Sequence, residues 1–467
     1  MSERAGLPVA IIGAGPVGLA AAAHLVARNV PVRIYEAGDK PGANIREWGH
    51  VHLFSPWKYN VDEAARRLLA KSGWREPDAE IFPTGAELIE HYVMPLANTP
   101  EIAGLIQTDA RVISVSRAGL DKVTTKGRDE RPFSIKLSGK NGETKHVLAS
   151  AVIDASGTWS QPNPLGADGW PATGESKSKD RIAYGIPDVV GRDRGSYENR
   201  SIVVVGAGHS AANALIDLVA LQVSAPRTQV TWVTRSDNLA RVYGGGSADQ
   251  LEARGALGSQ LHALVDAGTI KLVAGFRVTR VSETNASLAL SDADNKSIGP
   301  FDRVIVATGQ RPDLSFLREV RLSIDVALEC ATELAPLIDP NVHSCGSVRP
   351  HGHKQLSHPE AGFYTVGVKS YGRAPTFLLL TGYEQVRSVA AAIAGDMAAA
   401  NEVNLILPET GVCSAPKIAA GSAQAGCCGG PAVAVADACC AEDEEAKLAK
   451  KSGCGCGATT QKEGALV

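Results

Sequence analysis

The chain has 467 residues, of which 44% are hydrophobic and 21% are charged, as in an ordinary globular protein. Its formal net charge of −3 excludes the strongly basic surface that nucleic-acid-binding proteins present to phosphates. No apolar run reaches the ~20 residues of a membrane-spanning helix. The first residues lack the pattern of a signal peptide, so we expect a cytoplasmic protein of about two or three domains.

The amino-terminal part predicts a strand, a glycine-rich turn, a helix and a second strand. An apolar run, Val9–Ile12, enters the turn; an alanine-rich helix is predicted over 19–28 and a strand over Val32–Tyr35. The turn contains four residues of a dinucleotide-binding motif: Gly13, Gly15, Pro16 and Gly18.

Each glycine of this turn has a mechanical role in such a motif. Gly13 permits the tight turn, Gly15 lets the backbone approach a pyrophosphate, and Gly18 lets the helix pack against the strand. Glu36 follows the second strand, where a carboxylate accepts hydrogen bonds from ribose hydroxyls. The alternative is a glycine turn in an unrelated α/β sheet, but the complete pattern favours a dinucleotide site.

The same pattern recurs about 190 residues later. A strand over Ser201–Val205 leads into a second turn, followed by a predicted helix over 213–221 and a strand over 230–234. The residues of that turn that we expect to bind a dinucleotide are Gly206, Gly208, Ser210 and Ala211. Arg235 follows the second strand, and an arginine there can pair with the 2′-phosphate of NADPH. Two sites in one chain indicate FAD in the first and NADPH in the second; the alternative for Arg235 is a solvated surface cation.

These patterns predict an α/β protein with two Rossmann-like domains, the NADPH domain inserted in the FAD domain. Further strands are predicted over 111–116, 133–137, 146–153, 277–282, 287–290 and 303–307, a helix over 376–394, and a connector over 162–193. The predicted parts are 1–195 and 311–400 for the FAD domain, 196–310 for the NADPH domain, and 408–467 for a disordered tail.

Two apolar runs, 152–157 and 304–309, end in small residues and resemble the ATG motifs of two-dinucleotide flavoproteins. With the run 362–367 they add Gly157, Gly309 and Gly367 to the expected cofactor contacts. Residues 7–395 resemble the flavin-dependent monooxygenases related to thioredoxin reductase. The runs 203–213 and 369–376 resemble the subset found in arsenic-resistance operons. The resemblance implies that NADPH reduces FAD and that the reduced flavin uses O2 to oxygenate a soft nucleophile.

The chain departs from this family pattern in two places. Val368 and Lys369 stand where such flavoproteins have Gly-Asp, the Asp contacting the ribityl chain. Tyr184 and Gly185 match part of the monooxygenase fingerprint, but no histidine follows at the expected place. No catalytic side chain is predicted.

Cysteine placement separates this chain from disulfide reductases. None of its nine cysteines precedes Cys330, and the segments 41–56 and 234–251, where a redox pair would lie beside the flavin, contain none. The first of these segments continues into aromatic residues that either form a wall for the flavin ring or belong to the core: Trp48, Phe54 and Trp57.

The tail holds three cysteine pairs, and thiolates bind soft ions such as trivalent arsenic. The predicted ligands are Cys427, Cys428, Cys439, Cys440, Cys454 and Cys456. We therefore expect an enzyme that oxidises arsenite, methylarsenite or antimonite. The alternatives are an N- or S-oxygenase of an organic substrate and a protein that sequesters thiophilic ions.

Four histidines lie close together in the sequence: His343, His351, His353 and His358. A metal site is less favoured for this cluster than a loop that lies near the flavin or is solvated.

Overall fold

A computed structural model describes residues 4–404 except 245–251, 285–286, 342–350 and 376. The predicted cysteine ligands of the tail and His343 lie outside the described residues. Within the described part of the chain, no helix is long and apolar enough to cross a membrane.

The described strands, in chain order, are β1 (Val9–Ile12), β2 (Val32–Tyr35), β3 (Ile106–Gln107), β4 (Arg111–Arg117), β5 (Phe133–Ser138), β6 (Thr144–Ala149), β7 (Ala151–Asp154), β8 (Ile182–Tyr184), β9 (Ser201–Val205), β10 (Gln229–Val233), β11 (Lys271–Val273), β12 (Arg280–Thr284), β13 (Ser287–Ser291), β14 (Ser297–Phe301), β15 (Arg303–Val306) and β16 (Phe363–Thr365).

The described α-helices are α1 (Pro16–Val26), α2 (Ala43–Glu47), α3 (Glu63–Lys71), α4 (Gly85–Leu88), α5 (Met94–Ala97), α6 (Pro100–Ala103), α7 (His209–Gln222), α8 (Ala240–Tyr243), α9 (Glu252–Asp266), α10 (Ala335–Ile338), α11 (His353–Leu356), α12 (Leu379–Ile393) and α13 (Met397–Asn401).

The first sheet is parallel, with strand order β16-β7-β1-β2-β3. Helices α1, α3 and α12 contribute to one large core on one face, while the antiparallel sheet β4-β5-β6 contributes to a second core with strands β1 and β7. Strand β16 comes from the far end of the chain, after the whole second sheet. The predicted insertion of one dinucleotide unit within the other is therefore confirmed.

The second sheet is also parallel, with order β11-β10-β9-β15-β8. Helices α7 and α9 pack on one face, and the antiparallel sheet β12-β13-β14 packs on the other. The edge strand β8 comes from the segment predicted to be a connector, so the sheet of the inserted unit takes a strand from before residue 196.

The strands that enter the glycine turns lie where predicted, but several other boundaries differ. Helix α7 begins at His209 rather than residue 213, and α12 spans Leu379–Ile393 rather than 376–394. Helix α1 begins at Pro16 rather than residue 19, because proline suits the first helical position, where its missing N–H costs nothing. The single strand predicted over 146–153 was wrong, because β6 and β7 on either side of Ser150 belong to different sheets. Strand β12 begins at Arg280 rather than residue 277, and β14 was not predicted.

Candidate dinucleotide-binding sites

The first glycine turn lies at the carboxyl edge of the first sheet. Register pairs Ile12 with Tyr35 and with Asp154, so these three strands end level and their following turns meet. Gly13 has φ 101°, and a Cβ there would lie 2.8 Å from the carbonyl oxygen of Ala155. Both its conformation and its packing therefore require glycine.

Gly15 differs from the other glycines of this turn. A Cβ on Gly18 would collide with the carbonyl of Gly13, whereas a Cβ on Gly15 would meet no protein atom within 4 Å. Gly15 is also the N-cap of α1, with an ordinary φ of −79°. The empty space in front of Gly15 and the free amides of a helix amino terminus form a cradle of the kind that binds a pyrophosphate.

Glu36 is almost fully buried beside this cradle. Its Oε2 accepts a hydrogen bond from the backbone N–H of Ala14 at 2.7 Å, and its Oε1 accepts one from Gly38 at 2.8 Å. These bonds fix the glycine turn against the end of β2. Each carboxylate oxygen retains a lone pair, so Glu36 can also accept a ribose hydroxyl.

Gly157 and Gly367 complete this edge of the first sheet. Both have positive φ, 73° and 70°. A Cβ on Gly367 would lie 3.4 Å from Val17 at the start of α1, and one on Gly157 would meet only Val368, at 3.9 Å. The structure thus brings the predicted glycines of the first unit to one edge of the sheet, around the open space in front of Gly15, which is named the first cleft.

The second glycine turn repeats this geometry at the carboxyl edge of the second sheet. Gly206, with φ 143°, has no room for a Cβ because the carbonyl of Ala307 occupies that place. Gly208 is the N-cap of α7, and a Cβ there would meet nothing within 4 Å. Ser210 and Ala211 lie in the first turn of α7, and Ala211 is fully buried against the sheet.

The remaining predicted residues of this unit are Gly309 and Arg235. Gly309 follows β15 with φ 93°. Arg235 is exposed, two residues after β10 ends at Val233, and its guanidinium has no hydrogen-bond or ion-pair partner in the described part of the chain. This placement leaves the cation available to a phosphate at the sheet edge.

The three aromatic residues of the first segment have different surroundings. The Phe54 ring lies edge-on to His209, the first residue of α7, at 4.9 Å. Trp48 lies 6.4 Å from Trp159, whose Nε1 donates to Glu47 at 2.6 Å. Trp57 is buried in the core of the first unit, so the ordinary-core alternative holds for it.

The predicted histidine cluster does not form a site among the described residues. His351 bonds to Gln385 at 2.8 Å, while His353 bonds to Asn401 at 3.1 Å. His358 accepts from the backbone of Ser323 at 3.3 Å, and burial lowers its pKa to about 4. In the described ranges no group of His, Cys, Asp or Glu could hold a metal ion.

Three buried side chains at the first cleft were missed by sequence reasoning. Lys369 pairs with Asp154 at 2.7 Å, and the amide oxygen of Gln385 accepts from the backbone N–H of Gly367 at 2.8 Å. The departure from Gly-Asp at 368–369 marked the position of Lys369. Its partner lies 215 residues away, so only the structure shows the pair.

Both cradles fit the diphosphate groups of dinucleotides, because each combines an open glycine with a helix amino terminus. The model of the pyridine nucleotide-disulphide oxidoreductase family matches residues 10–333. The chain belongs to this family. It is therefore a flavin-dependent oxidoreductase.

Solved structures share the fold at low sequence identity. Bacillithiol disulfide reductase of Bacillus cereus has a TM-score of 0.62 and 19% identity, covering 83% of this chain and 99% of that one. The FAD-bound cadaverine monooxygenase of Erwinia amylovora has a TM-score of 0.56 and 14% identity, with 88% and 99% covered. Ornithine hydroxylase of Pseudomonas aeruginosa has a TM-score of 0.55 and 15% identity, covering 84% of this chain and 99% of that one. The search of curated proteins found no match.

Proposed function

We propose that this protein is a monooxygenase that binds FAD in the first unit and NADPH in the second, and that oxidises a trivalent arsenical. The observation that supports a monooxygenase over a disulfide reductase is the burial of the cysteine that the structure describes. The single free cysteine in the described ranges is Cys330, and burial raises the pKa of its thiol to about 12. A protonated, buried thiol is a poor electron relay, which favours O2 as the acceptor.

The chain's residues bind and orient the two dinucleotides. The cradle at Gly15 takes the pyrophosphate of FAD and Glu36 its ribose, while the cradle at Gly208 takes the pyrophosphate of NADPH and Arg235 its 2′-phosphate. When bound, FAD supplies the route by which electrons of NADPH reach O2. The contact between Phe54 and His209 keeps the second cradle close to the first unit.

The proposed substrate is arsenite or methylarsenite, with antimonite as a further candidate. The overall reaction of arsenite consumes NADPH, a proton and O2, and yields NADP⁺, water and arsenate. Arsenic loses two electrons and gains one oxygen atom, while the other oxygen atom leaves as water. Support for this substrate comes from the runs 203–213 and 369–376 and from six paired cysteines in the tail, since thiolates bind trivalent arsenic.

NADPH oxidation and O2 uptake, measured with arsenite, methylarsenite, antimonite, simple amines and thioethers, test the proposal. We expect turnover only with the metalloids, with one pentavalent product formed per O2 consumed. Turnover with an amine or thioether alone would support an organic N- or S-oxygenase, which the similar fold of the cadaverine monooxygenase favours as the second candidate. Metalloid binding without NADPH turnover would support sequestration.

The tail is proposed to capture substrate and not to take part in the chemistry. Truncation after Pro408 should leave FAD content and NADPH-dependent flavin reduction unchanged. It should raise the half-saturating arsenical concentration by about tenfold, because tethered thiolates raise the local substrate concentration. The saturating rate should change little. Steady-state turnover over a range of arsenical concentrations measures both quantities.

Replacing the six paired cysteines by serine should reproduce the truncation, because the effect depends on thiolates. Cys413→Ser, which removes the unpaired cysteine of the same tail, is the matched control and should behave as wild type. Loss of flavin reduction in the truncated protein or in the six-serine variant would contradict substrate capture. So would wild-type turnover of the six-serine variant at limiting arsenical.

A further inference from the structure

The buried ion pair at the first cleft includes a lysine with no contact to solvent. Lys369 Nζ donates to Asp154 Oδ2 at 2.7 Å and to Ser156 Oγ at 3.0 Å, and the side chains of Lys369 and Asp154 are both 0% exposed. Asp154 Oδ1 accepts from the backbone N–H of Ser156 at 3.1 Å and from its hydroxyl at 2.7 Å. The three side chains therefore form one connected network, and the centre of the Phe316 ring lies 4.5 Å from the Lys369 ammonium.

Stability alone is a poor reason for such a pair. Removing two charges from water offsets much of their attraction, and lysine is almost never fully buried unless it is paired. Buried polar networks that are fully satisfied hold their members in one geometry. This network therefore serves to hold the elements that it connects in one geometry.

The network connects the two turns that follow the adjacent strands β7 and β16. Asp154 ends β7, in register with Thr365 of β16, and Lys369 lies in the 3₁₀ turn Gly367–Tyr371 that follows β16. Gly157 in the first turn and Val368 in the second lie close together. A Cβ built on Gly157 would be 3.9 Å from Val368 Cγ1. Val368 is 40% exposed, so its side chain faces open space while that of Lys369 is buried.

The same turn also supports the glycine motif. The carbonyl of Ala155 lies where a Cβ of Gly13 would be, and the Ala155 methyl lies 3.5 Å from a Cβ built on Gly18. Any displacement of residues 155–157 would therefore alter both the glycine cradle and the cleft beside it.

We propose that Lys369 and Asp154 are positioning residues for FAD: their ion pair clamps the Ser156–Gly157 turn to the turn after β16 and so sets the distance between Gly157 and Val368 beside the first cleft. This inference rests on the assignment of FAD to the first unit. Neither side chain is proposed to touch the flavin or to take part in its oxidation and reduction.

The clamp is tested with Lys369→Met and the double variant Lys369→Met/Asp154→Asn. The single change leaves a carboxylate buried without its cation, so both apoprotein melting temperature and FAD affinity should fall. The double change removes both charges, so melting temperature should recover towards wild type. FAD should still bind about tenfold more weakly, with stronger flavin fluorescence, because Ser156 has lost its link to the turn after β16.

A matched control lies at the opposite end of β16. Arg117 Nε pairs with Glu360 at 2.7 Å, with side-chain exposures of 0% and 1%, and Arg128 also bonds to Glu360. Arg117→Met should lower the melting temperature and leave FAD affinity and flavin fluorescence unchanged. A double variant that binds FAD with wild-type affinity and fluorescence, or a control that loses FAD to the same degree, would overturn the clamp.

Gly15→Val separates failure of the clamp from failure of the FAD assignment. If Gly15→Val loses FAD while the double variant retains it, the first unit binds FAD and the clamp is wrong. If both retain FAD, the assignment itself is wrong. Turnover of arsenicals enters neither measurement.

Discussion

Gly15→Val should give a folded protein without the yellow colour of bound flavin. A Cβ built on Gly15 meets nothing within 4 Å, and the φ of −79° suits any residue, so the apoprotein should keep its fold. The same side chain would fill the space that a pyrophosphate needs. Loss of two charge-assisted hydrogen bonds to phosphate, each worth about 1.5 kcal/mol or more, weakens binding by about 150-fold. Flavin absorbance of the purified protein and its circular dichroism measure the two properties.

Gly104→Val is the matched control for this change. Gly104 caps helix α6 with φ −74°, is exposed, and a Cβ there also meets nothing within 4 Å, but it lies outside the glycine turn. It should retain flavin. Gly208→Val should retain flavin and lose its reduction by NADPH, because the same geometry is then blocked in the second unit. Stoichiometric flavin in Gly15→Val would exclude the first unit as the FAD site.

Local sequence patterns predicted the two dinucleotide units because each unit is built from consecutive residues. An apolar strand, a glycine turn and a second strand ending in Glu36 or near Arg235 are adjacent in the chain, and the structure places β1, β2 and β9 at the predicted residues. The spacing of the glycines follows from the close approach of helix and strand, so it can be recognised in the sequence alone.

Features that depend on distant residues were not predictable in this way. Strand β8 has only three residues and becomes a strand by pairing with β15, more than a hundred residues later. The apolar run through Ser150 gave no sign that β6 and β7 belong to different sheets. Lys369 appeared only as a departure from a family pattern, since its burial depends on a carboxylate supplied by β7.

The conformational class of each glycine also required the structure. Gly13 and Gly15 stand two residues apart in one motif, yet only Gly13 has positive φ and a backbone oxygen at the place of its Cβ. Substitution of Gly13 should therefore damage folding, whereas substitution of Gly15 should damage ligand binding. The motif alone assigned the tight turn to Gly13 and the pyrophosphate approach to Gly15, and the structure adds the φ and the space around each Cβ that separate the two effects.

Arg235→Ala should weaken binding of NADPH far more than binding of NADH. Arg235 is exposed beyond the carboxyl end of β10, and its guanidinium has no partner in the described ranges, so its removal should cost the apoprotein little stability. A charge-assisted contact with the 2′-phosphate contributes about 1.5–3 kcal/mol, which corresponds to a ~10–150-fold rise in the apparent KM for NADPH. NADH lacks this phosphate, so its KM should stay within about twofold, and the preference for NADPH over NADH should be lost.

Arg227→Ala is the matched control, because Arg227 is an exposed arginine just before the opposite end of the same strand. It should leave both KM values unchanged. Equal effects of Arg235→Ala on the two nucleotides would remove the 2′-phosphate from the second site, and with it the structural reason to prefer NADPH over NADH.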